Sequence, residues 1–144
     1  MRIVLAPDKF KGCLRADEVA AAMAEGIRRV DAAIEIDSCP VADGGEGTVD
    51  ALVRATGGRF VIHRVTGPLP EMKVEARYGL LGNDAKTAVI EMAAASGLHL
   101  LKPSEYDPFA TTTFGTGELI RHAVAGGCTK VILCLLYTSP SPRD

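Results

Sequence analysis

Between Arg2 and Val41 the hydrophobic pattern changes period twice, and that change constrains the fold more than any other feature. The run RIVLA (2–6) is apolar after its arginine, as in a strand buried on both faces. Val19, Met23, Ile27 and Val30 then recur at helical spacing through ADEVAAAMAEGIRRV. Asp17 and Glu18 fall in the first turn, where carboxylates suit the helix dipole. AIEIDSCPV, from near Ile34, reads as a strand again. Strand, loop, helix and strand make a βαβ unit, and such a crossover joins parallel strands.

The remainder switches between the same two periods. Val49, Leu52, Val53 and Thr56 mark a second helix, closed by Gly57 and Gly58. RFVIHRVT, KVEARYGLL and KTAVIEMA are three extended runs joined by GPLPEM and GNDA, turn chemistry that implies an antiparallel meander. An irregular stretch follows, with a turn or short helix near Ala93 to Ser96. GTGELIRHAVAGG reads as a third helix, and KVILCLL as another buried strand. The expected fold class is α/β: a Rossmann-like parallel sheet with helices plus an antiparallel β-meander. YTSPSPRD has no apolar periodicity and reads as a disordered tail.

Charge and composition exclude several function classes. A net charge of −2 offers no electrostatic footprint for nucleic acid or an anionic membrane. Aromatics are 5% and Trp is absent, which argues against base-stacking platforms. No stretch reaches the length of a transmembrane helix, and the first apolar run is too short for a signal peptide. Cys13, Cys39, Cys128 and Cys134 include no CxxC pair. A cytoplasmic protein with reduced thiols is expected; the sequence carries no sign of oligomeric state.

Three glycine-bearing loops are the candidate chemistry. APDKFKG (6–12) offers Asp8, Lys9 and Lys11 after the first strand, either as a clamp for a carboxylate or phosphate or as a solvated surface loop. VADGGEGTVD places Asp43 and Glu46 at the D-x-x-E spacing of a capping box. Yet a cap does not need Gly44, Gly45 and Gly47, and three glycines weaken a first turn by roughly 0.5–1 kcal/mol each. Close approach of a ligand to bare backbone is the alternative, with a carboxylate holding Mg²⁺ or taking a hydroxyl proton. In TTTFGTGELI, Gly115 and Gly117 flank Thr116, which fits an N-cap or an anion site. His63, His99 and His122 form no ligand pattern. The P-loop GxxxxGK[ST] and the GxSxG elbow are both absent.

Together, RIVLAPDKFKG, PVADGGEGTVDALVRATGG, VTGPL, VEARYGLL, TAVIEMAAASGL and TTTFGTGELIRHA closely resemble the bacterial glycerate kinase family, in the family's order. The resemblance implies phosphorylation of D-glycerate to 2-phosphoglycerate with ATP and Mg²⁺, in a cleft between two α/β domains. It implies that Lys11 and Lys9 neutralise phosphate or glycerate charge and that Asp43 orients the hydroxyl or accepts its proton. Asp8 or Glu46 would support Mg²⁺, directly or through water. Gly44, Gly45, Gly47, Thr48, Thr113, Gly115, Thr116 and Gly117 would supply polar and backbone contacts to substrate and phosphate.

The sequence departs from the family in two places. Arg15 stands where many relatives have a Ser cap, at a small cost to the first helix. The strand KVILC runs into LLYTSPSPRD, where the family continues into a glycine-rich GGSATNDGG-type loop. Residues 1–135 are therefore expected to be the N-terminal part of a glycerate kinase, an incomplete portion of its two-domain fold that is inactive alone. Residues 136–144 resemble a translated cloning or adapter sequence. Two other readings are a non-catalytic small-molecule binding domain and an enzyme for another small hydroxy acid. Against the binding domain stands the last strand, which would leave an apolar sheet edge exposed.

Overall fold

The computed structural model describes residues 1–10 and 12–135. Lys11 and the expected tail, 136–144, lie outside the described residues. The chain divides into two compact units, Met1–Asp43 and Gly44 onward.

The first unit is the expected βαβ. Strand β1 (Arg2–Leu5) pairs in parallel with β2 (Glu35–Ser38), Arg2 opposite Glu35 and Leu5 opposite Ser38. Helix α1 (Ala16–Val30) crosses between them. Its buried face is Val19, Ala20 and Ala24, while Met23 and Val30 of the apolar stripe stay exposed. Arg15 is the N-cap, as its position suggested. Its side chain has only donors and caps nothing, but the Glu18 carboxylate accepts the Arg15 amide at 2.7 Å, one half of a capping box.

The second unit is a four-stranded sheet with helices on both faces. Its order is β3 (Arg59–Thr66), β4 (Lys73–Leu80), β5 (Thr87–Glu91), β6 (Lys130–Cys134). The first three strands are the antiparallel meander, whereas β5 and β6 run parallel. Strand β5 thus belongs to both the meander and a parallel pair, and β1–β2 forms a separate two-stranded sheet. Between β5 and β6 the chain makes helix α3 (Met92–Ser96), two short 3-10 turns and helix α4 (Phe114–Ala125).

Alternation along the strands divides the core into two layers. Ala76, Tyr78, Leu80, Ala88 and Ile90 join one cluster with Ala95, Leu119, Ala123 and Cys128. Val89 and Cys134 join Val49 and Val53 of helix α2 (Thr48–Thr56) in the other. Helix α2 approaches the sheet over Gly79, where a Cβ would lie 2.3 Å from a Val53 methyl. Ala88, Val89 and Ile90 are wholly buried, as expected of a strand covered on both faces. Gly57, in the left-handed region at φ +63°, ends α2 as its glycine pair suggested. All four cysteines are free thiols. Among the described residues no helix is long and apolar enough to cross a membrane.

Candidate functional site

In the first unit, the parallel strands continue as loops that stay hydrogen-bonded. The Cys39 amide donates to the Leu5 carbonyl at 2.8 Å and the Val41 amide to the Pro7 carbonyl at 3.0 Å. This frame carries Asp8 and Lys9 on one loop and Asp43 on the other. The Lys9 ammonium lies 3.9 Å from the Asp43 carboxylate. At that separation, and with Asp43 about half exposed, the pair contributes at most about 1 kcal/mol and can exchange partners with a ligand. Asp8, next along the same loop, accepts the Lys9 backbone amide at 2.6 Å. The structure thus brings together Lys9 and Asp43, with Asp8 adjacent on the first loop, at the carboxyl ends of parallel strands, where open α/β folds bind ligands.

The glycine loop of the second unit corrects the capping reading of Asp43 and Glu46. Helix α2 begins at Thr48, and its N-cap is Gly47, not Asp43. Gly44 and Gly47 have φ of +93° and +97°, in the left-handed region that favours glycine. Two of the three glycines are thus required by backbone conformation, without appeal to a ligand. Gly47 has no side chain to cap with, and the acceptor comes from elsewhere: Glu91 Oε1 accepts the Val49 amide at 2.9 Å. The Gly47 amide also favours the charged form of this carboxylate. Burial pushes the Glu91 carboxyl above its ordinary value, opposed by the two amides and Arg77 and reinforced by Asp50. The Thr48 hydroxyl donates to the Gly45 carbonyl at 2.8 Å, closing the loop on itself.

The third loop also starts its helix earlier than its sequence suggests. The N-cap of α4 is Thr113, not Thr116, and the Phe114 amide donates to the Thr112 hydroxyl at 3.1 Å. Gly115 and Thr116 face inward. A Cβ on Gly115 would lie 1.7 Å from the Thr66 carbonyl oxygen, and the Thr116 hydroxyl bonds Ser96 at 2.8 Å. Their immediate role is to dock α4 on β3 and α3. Thr113 and Gly117 face solvent, with nothing within 4 Å of a Cβ on Gly117. Glu118 reaches back to accept the Thr66 amide at 2.6 Å, and that bond holds its carboxyl below the ordinary value.

Glu91 and Glu118 were not singled out among the sequence candidates. For Glu91 a signal exists: it is the charged end of the apolar run TAVIE, and a carboxylate there calls for a partner. Glu118 sits on an amphipathic helix where a carboxylate is unremarkable, so its contact with Thr66 has no local signature.

These features define an α/β protein that presents acidic, basic and glycine-bearing loops at strand ends and helix starts. A sequence profile described as the Glycerate kinase family matches residues 3–135. The chain belongs to the glycerate kinase family. It is 52% identical over 133 residues to the glycerate 2-kinase of Escherichia coli K12, spanning 92% of this chain and 34% of that protein. It is 51% identical over 133 residues to the glycerate kinase of Bacillus subtilis 168, again covering 92% and 34%. A crystal structure from Salmonella typhimurium LT2 that carries the name glycerate kinase 2 superposes with a TM-score of 0.78 at 51% identity, over 93% of this chain and 35% of that one. The chain therefore spans about a third of the length of the relatives it matches.

Proposed function

We propose that this chain forms one wall of a glycerate kinase active site, which transfers the γ-phosphoryl group of ATP to the 2-hydroxyl of D-glycerate and yields 2-phosphoglycerate. The observation that carries this reading is the family match, which runs from residue 3 to residue 135 and so contains every candidate loop. In the transfer, the glycerate oxygen bonds to phosphorus, the bond from phosphorus to the β,γ-bridging oxygen breaks, and the hydroxyl proton leaves. Asp43 orients that hydroxyl and takes the proton. Lys9, already beside Asp43, and Lys11 neutralise the glycerate carboxylate or the phosphates. Phosphoryl transfer depends on such positioning and charge neutralisation more than on covalent catalysis.

Mg²⁺ binds oxygen ligands and is commonly held by one or two carboxylates together with substrate phosphates and water. Asp8 or Glu46 would supply an oxygen of that kind, directly or through water, and no closed protein cage is required. When bound, the ion would neutralise charge on the phosphate oxygens. Gly44, Gly45, Gly47 and Thr48 offer backbone and hydroxyl contacts to the ligand, as do Thr113 and Gly117. Gly115 and Thr116 act through the placement of α4.

With about a third of its relatives' length, the 144-residue chain alone is expected to form no ADP from ATP and glycerate. A direct test replaces the matching third of the Escherichia coli glycerate 2-kinase with residues 1–135 and identifies the product by phosphorus NMR. Glycerate-dependent formation of 2-phosphoglycerate supports the reading. A folded chimera that phosphorylates a different hydroxy acid, or none, contradicts it.

A further inference from the structure

Helix α2 begins at a glycine that cannot cap it, yet its first turn is met by a carboxylate 42 residues away. We propose that Glu91 is a positioning residue for the candidate site: its side-chain oxygen anchors the glycine loop, 44–48, where it enters α2, by accepting the Val49 amide. The proposal rests on the reading of that loop as part of the site.

Three observations carry it. The first is the bond itself, 2.9 Å from the Val49 amide to Glu91 Oε1. Among the groups at the start of α2, no side-chain cap from the N-cap residue exists to do the same work. The second is the rigidity of the support. Glu91 ends β5 immediately after Ala88, Val89 and Ile90, which are wholly buried, and it pairs in register with Cys134 of β6. The third is the loop's use of two left-handed glycines, whose wide conformational freedom gives an outside anchor work to do beside the internal bond from Thr48 to Gly45. The charged and titratable groups around Glu91 are Asp50 on α2, Arg77 on β4 and Cys134 on β6. Asp50, the other carboxylate there, accepts Arg77 at 2.6 Å, while Glu91 accepts the Val49 amide.

Because the contact requires an accepting oxygen rather than a charge, Gln should replace Glu91 and Ala should not. The test is amide hydrogen exchange on the 144-residue chain, comparing Val49 with the buried amides of β5. Glu91→Ala is expected to lower protection at Val49 by roughly threefold to tenfold, the net loss of one hydrogen bond, while β5 keeps its protection. Glu91→Gln is expected to retain most of it. The proposal is overturned if the alanine variant leaves the Val49 amide unchanged, if glutamine fails as alanine does, if protection falls equally through β5, or if the Val49 amide is unprotected in the starting chain. No substrate enters the measurement, so its failure is distinct from failure of the glycerate kinase reading.

Discussion

Gly115 lies so close to Thr66 that a Cβ on the glycine would sit 1.7 Å from the Thr66 carbonyl oxygen. The first turn of α4 therefore rests directly on the end of β3, and the same Thr66 amide donates to Glu118 of that helix at 2.6 Å. The VTGPL stretch extends the contact, with the Thr112 amide donating to the Pro68 carbonyl at 2.8 Å. A glycine that looks like bare backbone for a ligand is thus a packing requirement.

Gly115 and Gly117 should accordingly respond in opposite ways. Gly115→Ala forces α4 off β3 and should destabilise by about 1–3 kcal/mol, the usual cost of overpacking. Gly117→Ala meets nothing within 4 Å and should stabilise α4 by about 0.5–1 kcal/mol, since glycine is a poor helix residue. Urea denaturation of the two variants checks both signs. In an active chimera, a Gly117→Ala enzyme that gains stability and loses kcat would place a ligand against that backbone.

His63 and His122 stack with ring centroids 3.9 Å apart. Burial lowers the His63 pKa from its ordinary 6.5, and the neighbouring His122 adds to the effect. The folded state therefore binds this proton more weakly than the unfolded chain. The contribution to stability is present above pH 6.5 and is lost as pH falls through the lower folded value. Thermal melts from pH 7.5 to 5 should show this decline, and His122→Gln should reduce it without abolishing it, because burial is the larger cause.

Glu91 has the opposite linkage. Its carboxyl is raised above the ordinary 4.5, chiefly by burial, so the folded state holds the proton more tightly. That contribution is present below pH 4.5 and is lost as pH rises through the higher folded value. Glu91→Gln keeps an accepting oxygen and removes the titration. It should therefore gain stability relative to the unsubstituted chain as pH rises above that window, with the gap closing below pH 4.5. A gap that widens on acidification would contradict the burial account.

Arg15 is an N-cap without an acceptor. Its guanidinium approaches Asp17 at 3.1 Å and Glu18 at 3.8 Å, but these are exposed pairs that contribute little. Arg15→Ser should raise the stability of the first unit by about 1 kcal/mol through a true side-chain cap. The shift in the denaturation midpoint of α1, followed by circular dichroism, checks it.

Period and turn chemistry made most of the elements legible. The βαβ opening, the meander and the helices at 48–56 and 114–125 all follow from local patterns. What was not legible is non-local. Asp43 and Glu46 have capping-box spacing, yet the acceptor for α2 is Glu91, fixed only once β5 has packed. Thr116 resembles a cap, but it is drawn inward by Ser96. The glycines at 44 and 47 answer to positive φ, which composition alone does not distinguish from ligand approach. At the candidate site, Asp8, Lys9 and Asp43 could be named from their place after two strands, because parallel pairing brings such loops together. Lys11 lies outside the described residues.

The central claim is that Asp43 orients the glycerate hydroxyl and accepts its proton, and the most direct test is Asp43→Asn in the Escherichia coli chimera carrying residues 1–135. Steady-state kinetics should show kcat falling by about 10²–10⁴-fold, the usual contribution of a positioned acid–base group, with stability little changed because Asp43 is exposed. An unchanged kcat in a folded Asp43→Asn chimera would contradict the account.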